Sequence, residues 1–215
     1  MGERKMYHEG ILYKTMVWIS RLAYLNILWL LFSLGGLLFF GFFPSVVAAL
    51  AIERKWIRGN RDFSLFKQFW LEFKNNFKQA NLIGYFLIFV GGLLYVNIML
   101  VSTIDHWLRW LLLFLLFGLA FLVSIISTYI FPTFVHYNAK FIDYITYAFV
   151  VALVSPLNTI LILLNICAFF FIGYYFPGII FVFTGSGLTF IMMWFSYQSL
   201  KKIENKTSLY MKSTM

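Results

Sequence analysis

Long apolar stretches alternate with short polar segments along the chain. Four such stretches cover residues 16–52, 82–101, 107–131 and 147–199. A helix needs about 20 apolar residues, each rising 1.5 Å, to cross roughly 30 Å of hydrocarbon. The two middle stretches therefore predict one membrane-spanning helix each, and the last stretch, more than twice that length, predicts two. The break between those two falls at Pro177-Gly178, because a Pro-Gly pair ends a helix.

The first stretch, 16–52, is too long for one crossing and slightly short for two. Gly35-Gly36 lies near its middle and permits a tight turn. With a bend there, all but Arg109 of the 17 lysines and arginines lie on one side of the membrane, as the positive-inside rule requires. The pattern thus predicts an all-α, polytopic transmembrane bundle of six spans, or five if 16–52 crosses once. The six spans lie near 16–35, 37–53, 82–101, 107–131, 147–171 and 178–199.

Composition supports a membrane protein. A soluble domain is about a quarter charged, whereas this chain is 12% charged and 62% hydrophobic, with a mean hydropathy of +0.84. We expect one membrane domain over residues 1–215, in a bacterial cell (plasma) membrane, with both termini in the cytoplasm. In a chain this apolar, the net charge of +9 indicates contact with anionic lipid at the cytoplasmic face of the bilayer. We expect no nucleic-acid binding, because the chain has no soluble basic domain to carry it.

The segment 62–80 combines an aromatic arc with neighbouring lysines. The aromatic residues fall at helical spacing, and the lysines line up beside them: Phe66, Phe69, Trp70, Phe73 and Phe77, with Lys67, Lys74 and Lys78. This pattern is typical of an amphipathic helix that lies in the membrane interface. Such a helix orients the loop, or it provides a surface for lipid or for a partner protein.

A weak internal repeat relates the two halves of the chain. Phe43-Pro44 and Phe131-Pro132 recur in similar surroundings, each near small residues at four-residue spacing: Gly41, Ser45 and Ala49 in the first half, and Ala120, Ser124 and Thr128 in the second. Small residues at this spacing let transmembrane helices approach closely. The pattern is compatible with two similar three-span halves, or with chance recurrence of Phe-Pro pairs in a Phe-rich chain.

Polar residues inside predicted spans are candidates for function. Asn158 and Asn165 share one helix face, and Asn26 and Asn97 are the other amides within spans. They contact a solute, or they bond to neighbouring helices. All eight acidic residues, Glu53 included, are predicted in tails, loops or interfaces, which argues against proton-coupled transport. The sequence contains no Gly-x-Ser-x-Gly or His-Glu-x-x-His motif, so we expect no enzyme, catalytic residue, metal or cofactor.

Several segments carry a family resemblance in a specific order: Asn26–Ser45, Arg54–Gly59, Phe69-Trp70 with Phe73–Ala80, and Phe131-Pro132 through Phe149. With these segments the chain resembles the YesL-like family over residues 10–200. This is a group of small bacterial integral membrane proteins classed as a domain of unknown function. Members are commonly encoded beside carbohydrate ABC importers, sugar-binding proteins and sensor kinases, so the resemblance implies a role in carbohydrate uptake or its regulation.

The expected function is therefore that of a non-enzymatic accessory or regulatory component of bacterial carbohydrate uptake. Its expected partners are the lipid bilayer and subunits of an ABC importer or a sensor kinase. One alternative is a small facilitator or channel for a sugar or another small solute, which would pass near Asn158 and Asn165. Another is a lipid-binding envelope protein that uses the 62–80 helix.

Overall fold

The computed structural model describes the backbone of residues 11–213 and the side chains of residues 13–176, 178 and 185–205. Over that range the regular secondary structure is all helix, with no strand, as the hydropathy pattern predicts. The helices are α1 (Ile11–Gly35), α2 (Phe42–Ile57), α3 (Leu65–Ser102), α4 (Leu108–His136), α5 (Phe141–Val154), α6 (Pro156–Tyr175) and α7 (Pro177–Ser213).

The glycine pair at 35–36 ends α1, and the chain turns back into α2. The two helices run antiparallel, because the rings of Trp18 and Trp56 lie 5.8 Å apart and those of Trp29 and Phe42 lie 5.7 Å apart. A Cβ atom on Gly36 would lie 2.4 Å from the Cα of Gly41, so glycine is needed for this close approach. We call residues 36–41 the hairpin tip.

The segment 62–80 does not form a separate interfacial helix. Residues 65–80 are the first half of α3, a single helix of 38 residues that continues into the apolar run. No proline interrupts residues 65–102, so the backbone hydrogen bonds continue from the amphipathic half into the apolar half. The sequence pattern distinguished two environments along α3, but it contained no signal for a break between them.

The predicted span 147–171 is divided between two helices. α5 ends at Val154, and α6 begins at Pro156, where the missing N–H of proline is tolerated in the first turn of a helix. The buried Tyr129 hydroxyl of α4 lies 3.0 Å from the Thr159 hydroxyl of α6 and links the start of α6 to α4. α6 then ends at Tyr175, just before the Pro-Gly pair.

Four helices in the described part of the chain are long and apolar enough to cross a membrane: Tyr13–Gly35, Leu65–Ser102, Leu108–His136 and Pro156–Tyr175. The chain is therefore a multi-pass membrane protein. α2 and α5 are shorter, with 16 and 14 residues. We call the side where α2 and α4 terminate, near Arg54 and His136, the charged end, and the α3–α4 turn at residues 103–107 the far end.

The two halves of the chain do not contain matching helices. Phe43-Pro44 lies in the first turn of α2, whereas Phe131-Pro132 lies near the C-terminus of α4. The two Phe-Pro pairs nevertheless meet, because the rings of Phe43 and Phe131 stack with centroids 5.9 Å apart. The recurring pair marks a contact between α2 and α4, and the predicted pair of similar three-span halves is not seen in the helix lengths.

Candidate functional site

A buried polar junction joins α1, α2 and α7. The Asn26 side-chain oxygen accepts hydrogen bonds from the backbone N–H groups of Gly185 and Ser186, at 2.9 and 3.2 Å. Gly185 is required there, since a Cβ atom would lie 2.4 Å from the Trp29 ring. Asn26, one of the amides predicted as a candidate site, thus attaches α1 to α7.

Glu53 lies at the same junction and is completely buried. The Thr189 hydroxyl lies 2.7 Å from Glu53 Oε1 and also 2.7 Å from the Gly185 carbonyl oxygen, yet it has one hydrogen to donate. A protonated Glu53 carboxyl satisfies both contacts, because it donates to Thr189 while Thr189 donates to Gly185. Glu53 Oε2 has no hydrogen-bond partner.

The burial of Glu53 corrects the prediction that every acidic residue lies in a tail, loop or interface. Glu53 is enclosed because α7 packs against α2 at this point, with Thr189 of α7 in contact with the Glu53 carboxyl. A signal for this was present in the sequence: Glu53 continues the small-residue series Gly41, Ser45 and Ala49 at four-residue spacing. Residues at that spacing share one helix face, so a buried series predicts a buried fourth member.

A basic cleft lies at the charged end, between α2, α3 and α4. The cleft encloses about 170 Å³. Apolar, polar and charged side chains line it: Val47, Ala51, Arg54, Lys55, Arg58, Glu72, Asn76, Phe134 and Val135. Lys55 and Glu72 form an ion pair at 3.1 Å. Three cations and one carboxylate leave the cleft with an excess of positive charge.

Arg54 holds the C-terminus of α4 in place. Its Nη1 and Nη2 atoms donate to the carbonyl oxygens of Val135 and His136, at 2.7 and 3.2 Å. These carbonyls are at the negative end of the helix dipole, which favours a cation. Burial, and then the like charge of Arg58, lower the pKa of Arg54. An anion in the cleft would relieve that repulsion, so the geometry suits a carboxylate or a phosphate group.

A second contact at the charged end joins α4 to α7. His136 Nε2 lies 2.8 Å from Glu204 Oε1. Burial lowers the pKa of His136, while the hydrogen bond to Glu204 opposes that change. The charged end is thus stabilised by two polar contacts on the last turn of α4.

The aromatic arc of α3 is divided between the protein interior and its surface. Phe73 is buried and Phe77 is partly buried, whereas Phe66 and Trp70 have 53% and 48% of their surface exposed. Phe32 of α1 packs against four rings of the arc, at 5.1–6.1 Å between centroids: Phe66, Phe69, Trp70 and Phe73. The neighbouring lysines Lys67, Lys74 and Lys78 are exposed. The arc therefore attaches α3 to the α1–α2 hairpin and leaves a basic outer surface.

The asparagines predicted as an intramembrane site do not come together. Asn158 donates to the Ser199 hydroxyl of α7 at 2.7 Å, while Asn165 donates to the Leu161 carbonyl of its own helix at 2.7 Å. Asn97 likewise bonds to the Leu93 carbonyl in α3. The geometry thus gives Asn158 and Asn26 contacts between helices, and gives the other two contacts within one helix.

The predicted packing residues differ between the two halves. Gly41, just before α2, is buried, and so are Ser45 and Ala49 on α2. On α4, Thr128 is buried, Ala120 is half-buried and Ser124 is exposed, with its hydroxyl donating to the Ala120 carbonyl. All three small residues of the first half are therefore buried, whereas in the second half only Thr128, nearest the C-terminus of α4, is buried.

Comparison with known proteins places the chain among relatives of similar length. A family model described as "Protein of unknown function, DUF624" matches residues 22–98. Uncharacterized protein YteU of Bacillus subtilis (strain 168) is 34% identical over 202 residues, which cover 93% of this chain and 90% of that protein. Uncharacterized proteins YesV and YesL of the same strain are 31% and 26% identical, over 86% and 88% of this chain and 89% of each relative. No solved structure matches the chain.

Proposed function

This chain belongs to the DUF624 family, together with YteU, YesL and YesV, and on that premise we propose that it is a non-enzymatic accessory protein of the bacterial cell membrane. Its proposed role is to bind a component of carbohydrate uptake, an ABC importer or a sensor kinase, at its charged end. The resemblance to the YesL-like family supports the carbohydrate context.

The observation that carries the proposal is the basic cleft. Arg58 is exposed at the cleft and has no carboxylate partner among the described side chains; its guanidinium lies 5.8 Å from the Tyr197 ring. An acidic segment of a partner would pair with Arg58 and extend over the exposed lysines of α3. Since positive charge marks the cytoplasmic side, we place the charged end and both termini in the cytoplasm.

Co-purification from native membranes in a gentle detergent tests this proposal. Arg58→Glu reverses the charge at the cleft and leaves Arg54, which holds α4, unchanged. The matched control is Arg109→Glu, which reverses the lone predicted cation of the far end. We expect importer or kinase subunits with the wild type and with Arg109→Glu, and on the order of ten-fold less with Arg58→Glu. Wild-type protein recovered free of any such subunit would contradict the proposal.

A further inference from the structure

The position of α2 along α3 sets the depth of the first hairpin. Lys55 pairs with Glu72, the Asn81 amide donates to the Phe40 carbonyl at 3.0 Å, and the Phe43 ring lies against Gly84. α2 therefore runs antiparallel to residues 72–84 of α3. This part of α3 carries the exposed residues Lys74 and Lys78 and is not suited to the hydrocarbon core.

The hairpin tip ends far short of the far end. Tyr85 donates to the Phe39 carbonyl at 2.7 Å, so the tip lies beside the first turn of the apolar run of α3. From Tyr85, α3 continues to Ser102, which is about 25 Å at 1.5 Å per residue. That distance is most of the thickness of the hydrocarbon core, about 30 Å. α2 itself has 16 residues and spans about 24 Å, too little for a crossing.

The tip is apolar although it is exposed. Leu37, Leu38, Phe39 and Phe40 have 80%, 57%, 62% and 49% of their surface exposed, and residues 34–44 include no charged or hydrogen-bonding side chain. A turn in water would expose these four large side chains at a cost of about 1.5–3 kcal/mol each. Acyl chains remove that cost.

The tip backbone is bonded as a low-dielectric environment requires. Leu38 N–H donates to the Ser33 carbonyl, and Phe40 N–H donates to the Gly36 carbonyl. The carbonyls of Phe39 and Phe40 accept from Tyr85 and Asn81 of α3. Non-helical backbone at membrane depth is tolerated only when protein groups satisfy it, because lipid offers no hydrogen bonds.

We propose that α1 and α2 form a re-entrant hairpin, which enters the bilayer from the charged end, ends among the acyl chains of that leaflet and returns without crossing. The membrane is then crossed four times instead of six, by α3, α4, the α5–α6 pair and α7, the last through its apolar run at 178–199. α1 is long enough to cross but does not, because α2 is too short to return from the far end. The positive-inside rule does not distinguish the two topologies, because either hairpin returns the chain to the side from which it came. Tip residues 37–40 are the part of the hairpin that lies deepest in the lipid.

Impermeant thiol labelling in a Cys167→Ser background tests this topology. Asn60→Cys marks the charged end, Asp105→Cys marks the far end, and Leu37→Cys and Leu34→Cys probe the hairpin. In intact cells and inverted vesicles, residues 60 and 105 should be labelled from opposite sides. Residues 37 and 34 should be labelled on the order of ten-fold less from either side, and fully after solubilisation in denaturing detergent.

Two results would overturn the proposal. Labelling of residue 37 from the same side as residue 105 would show that the hairpin crosses. Labelling of residue 37 from the same side as residue 60 would show that the tip lies in water. A Leu37→Cys variant that misfolds is recognised by the loss of monodispersity in mild detergent. Leu34→Cys, one turn earlier on the exposed face of α1, then tests the same topology.

Discussion

The α1–α2 and α3–α4 helix hairpins have turns that differ in chemistry. The α1–α2 tip consists of glycine, leucine and phenylalanine, and side chains of α3 bind two of its carbonyls. The α3–α4 turn, Thr103-Ile104-Asp105-His106-Trp107, has exposed polar groups, and its side-chain hydrogen bonds are local, to Leu100 at the end of α3 and Leu108 at the start of α4. The tip thus has the protein partners that its carbonyls need where water is absent. The comparison indicates that two apolar hairpins of one chain can reach different depths in the membrane.

The largest effect should come from placing a charge in each turn. Leu37→Lys places an ammonium in hydrocarbon, which costs about 3 kcal/mol. The matched Thr103→Lys change lies at the water-facing turn and should alter the free energy of unfolding by less than about 0.5 kcal/mol. Steric-trap unfolding in bicelles measures both. Equal effects in the two turns would remove the distinction between them.

A smaller loss should follow from a methyl group at the tip. In Gly36→Ala the new Cβ would meet the Gly41 backbone at 2.4 Å, so the turn must move. We expect a loss of about 1–3 kcal/mol. Gly91→Ala is the control, because nothing lies within 4 Å of its Cβ position on α3. There alanine should stabilise the helix by up to about 1 kcal/mol. The same sign for both variants in thermal unfolding would contradict the packing at the tip.

A smaller loss of stability should follow when a hydrogen-bond donor to the tip is removed. Asn81→Leu leaves the Phe40 carbonyl without its partner and should destabilise the protein by about 0.6–2 kcal/mol. Asn97→Leu removes an amide that bonds to its own helix, so its effect should lie near zero. Hydrogen exchange at the tip amides should rise in Asn81→Leu and stay unchanged in Asn97→Leu. Faster exchange in both variants would show that water already reaches the tip.

The smallest effect concerns pH at the charged end, which faces water. Burial lowers the pKa of His136 in the folded protein below its ordinary value of 6.5, so the unfolded chain binds the proton more readily. The stability conferred by neutral His136 is therefore complete above about pH 6.5 and declines as the pH falls below it. Unfolding measured across that range should show this decline, and His136→Gln should reduce it. An unchanged slope in His136→Gln would assign the pH dependence to other groups.

Part of this architecture was predictable from the sequence. Hydropathy predicted helices throughout, and the glycine pair at 35–36 and the proline at 177 predicted two of the breaks. The count of lysines and arginines could not predict the depth of the first hairpin, since the positive-inside rule reports only the side of the membrane on which each loop lies. Three-dimensional contacts were needed to place Asn81 and Tyr85 beside the tip.

The candidate site was predicted less completely. Asn26 was identified as a buried amide, but its partners lie about 160 positions away on α7, a distance at which periodicity carries no information. Glu53 was placed at an interface because it begins the charged segment Glu53-Arg54-Lys55. The small-residue series indicates that this face of α2 is buried, but no local pattern connects Glu53 with its partner Thr189 on α7. The basic cleft likewise depends on the meeting of α2 with the last turn of α4.

The most direct test of the account is the depth of residue 37 in a bilayer. A nitroxide at Leu37→Cys, in the Cys167→Ser background, is compared with one at Asp105→Cys for collisions with oxygen and with a water-soluble nickel chelate. If the hairpin is re-entrant, residue 37 collides often with oxygen and rarely with the chelate, whereas residue 105 shows the reverse. Equal access of the chelate to residues 37 and 105 would place the tip in water and contradict the re-entrant hairpin.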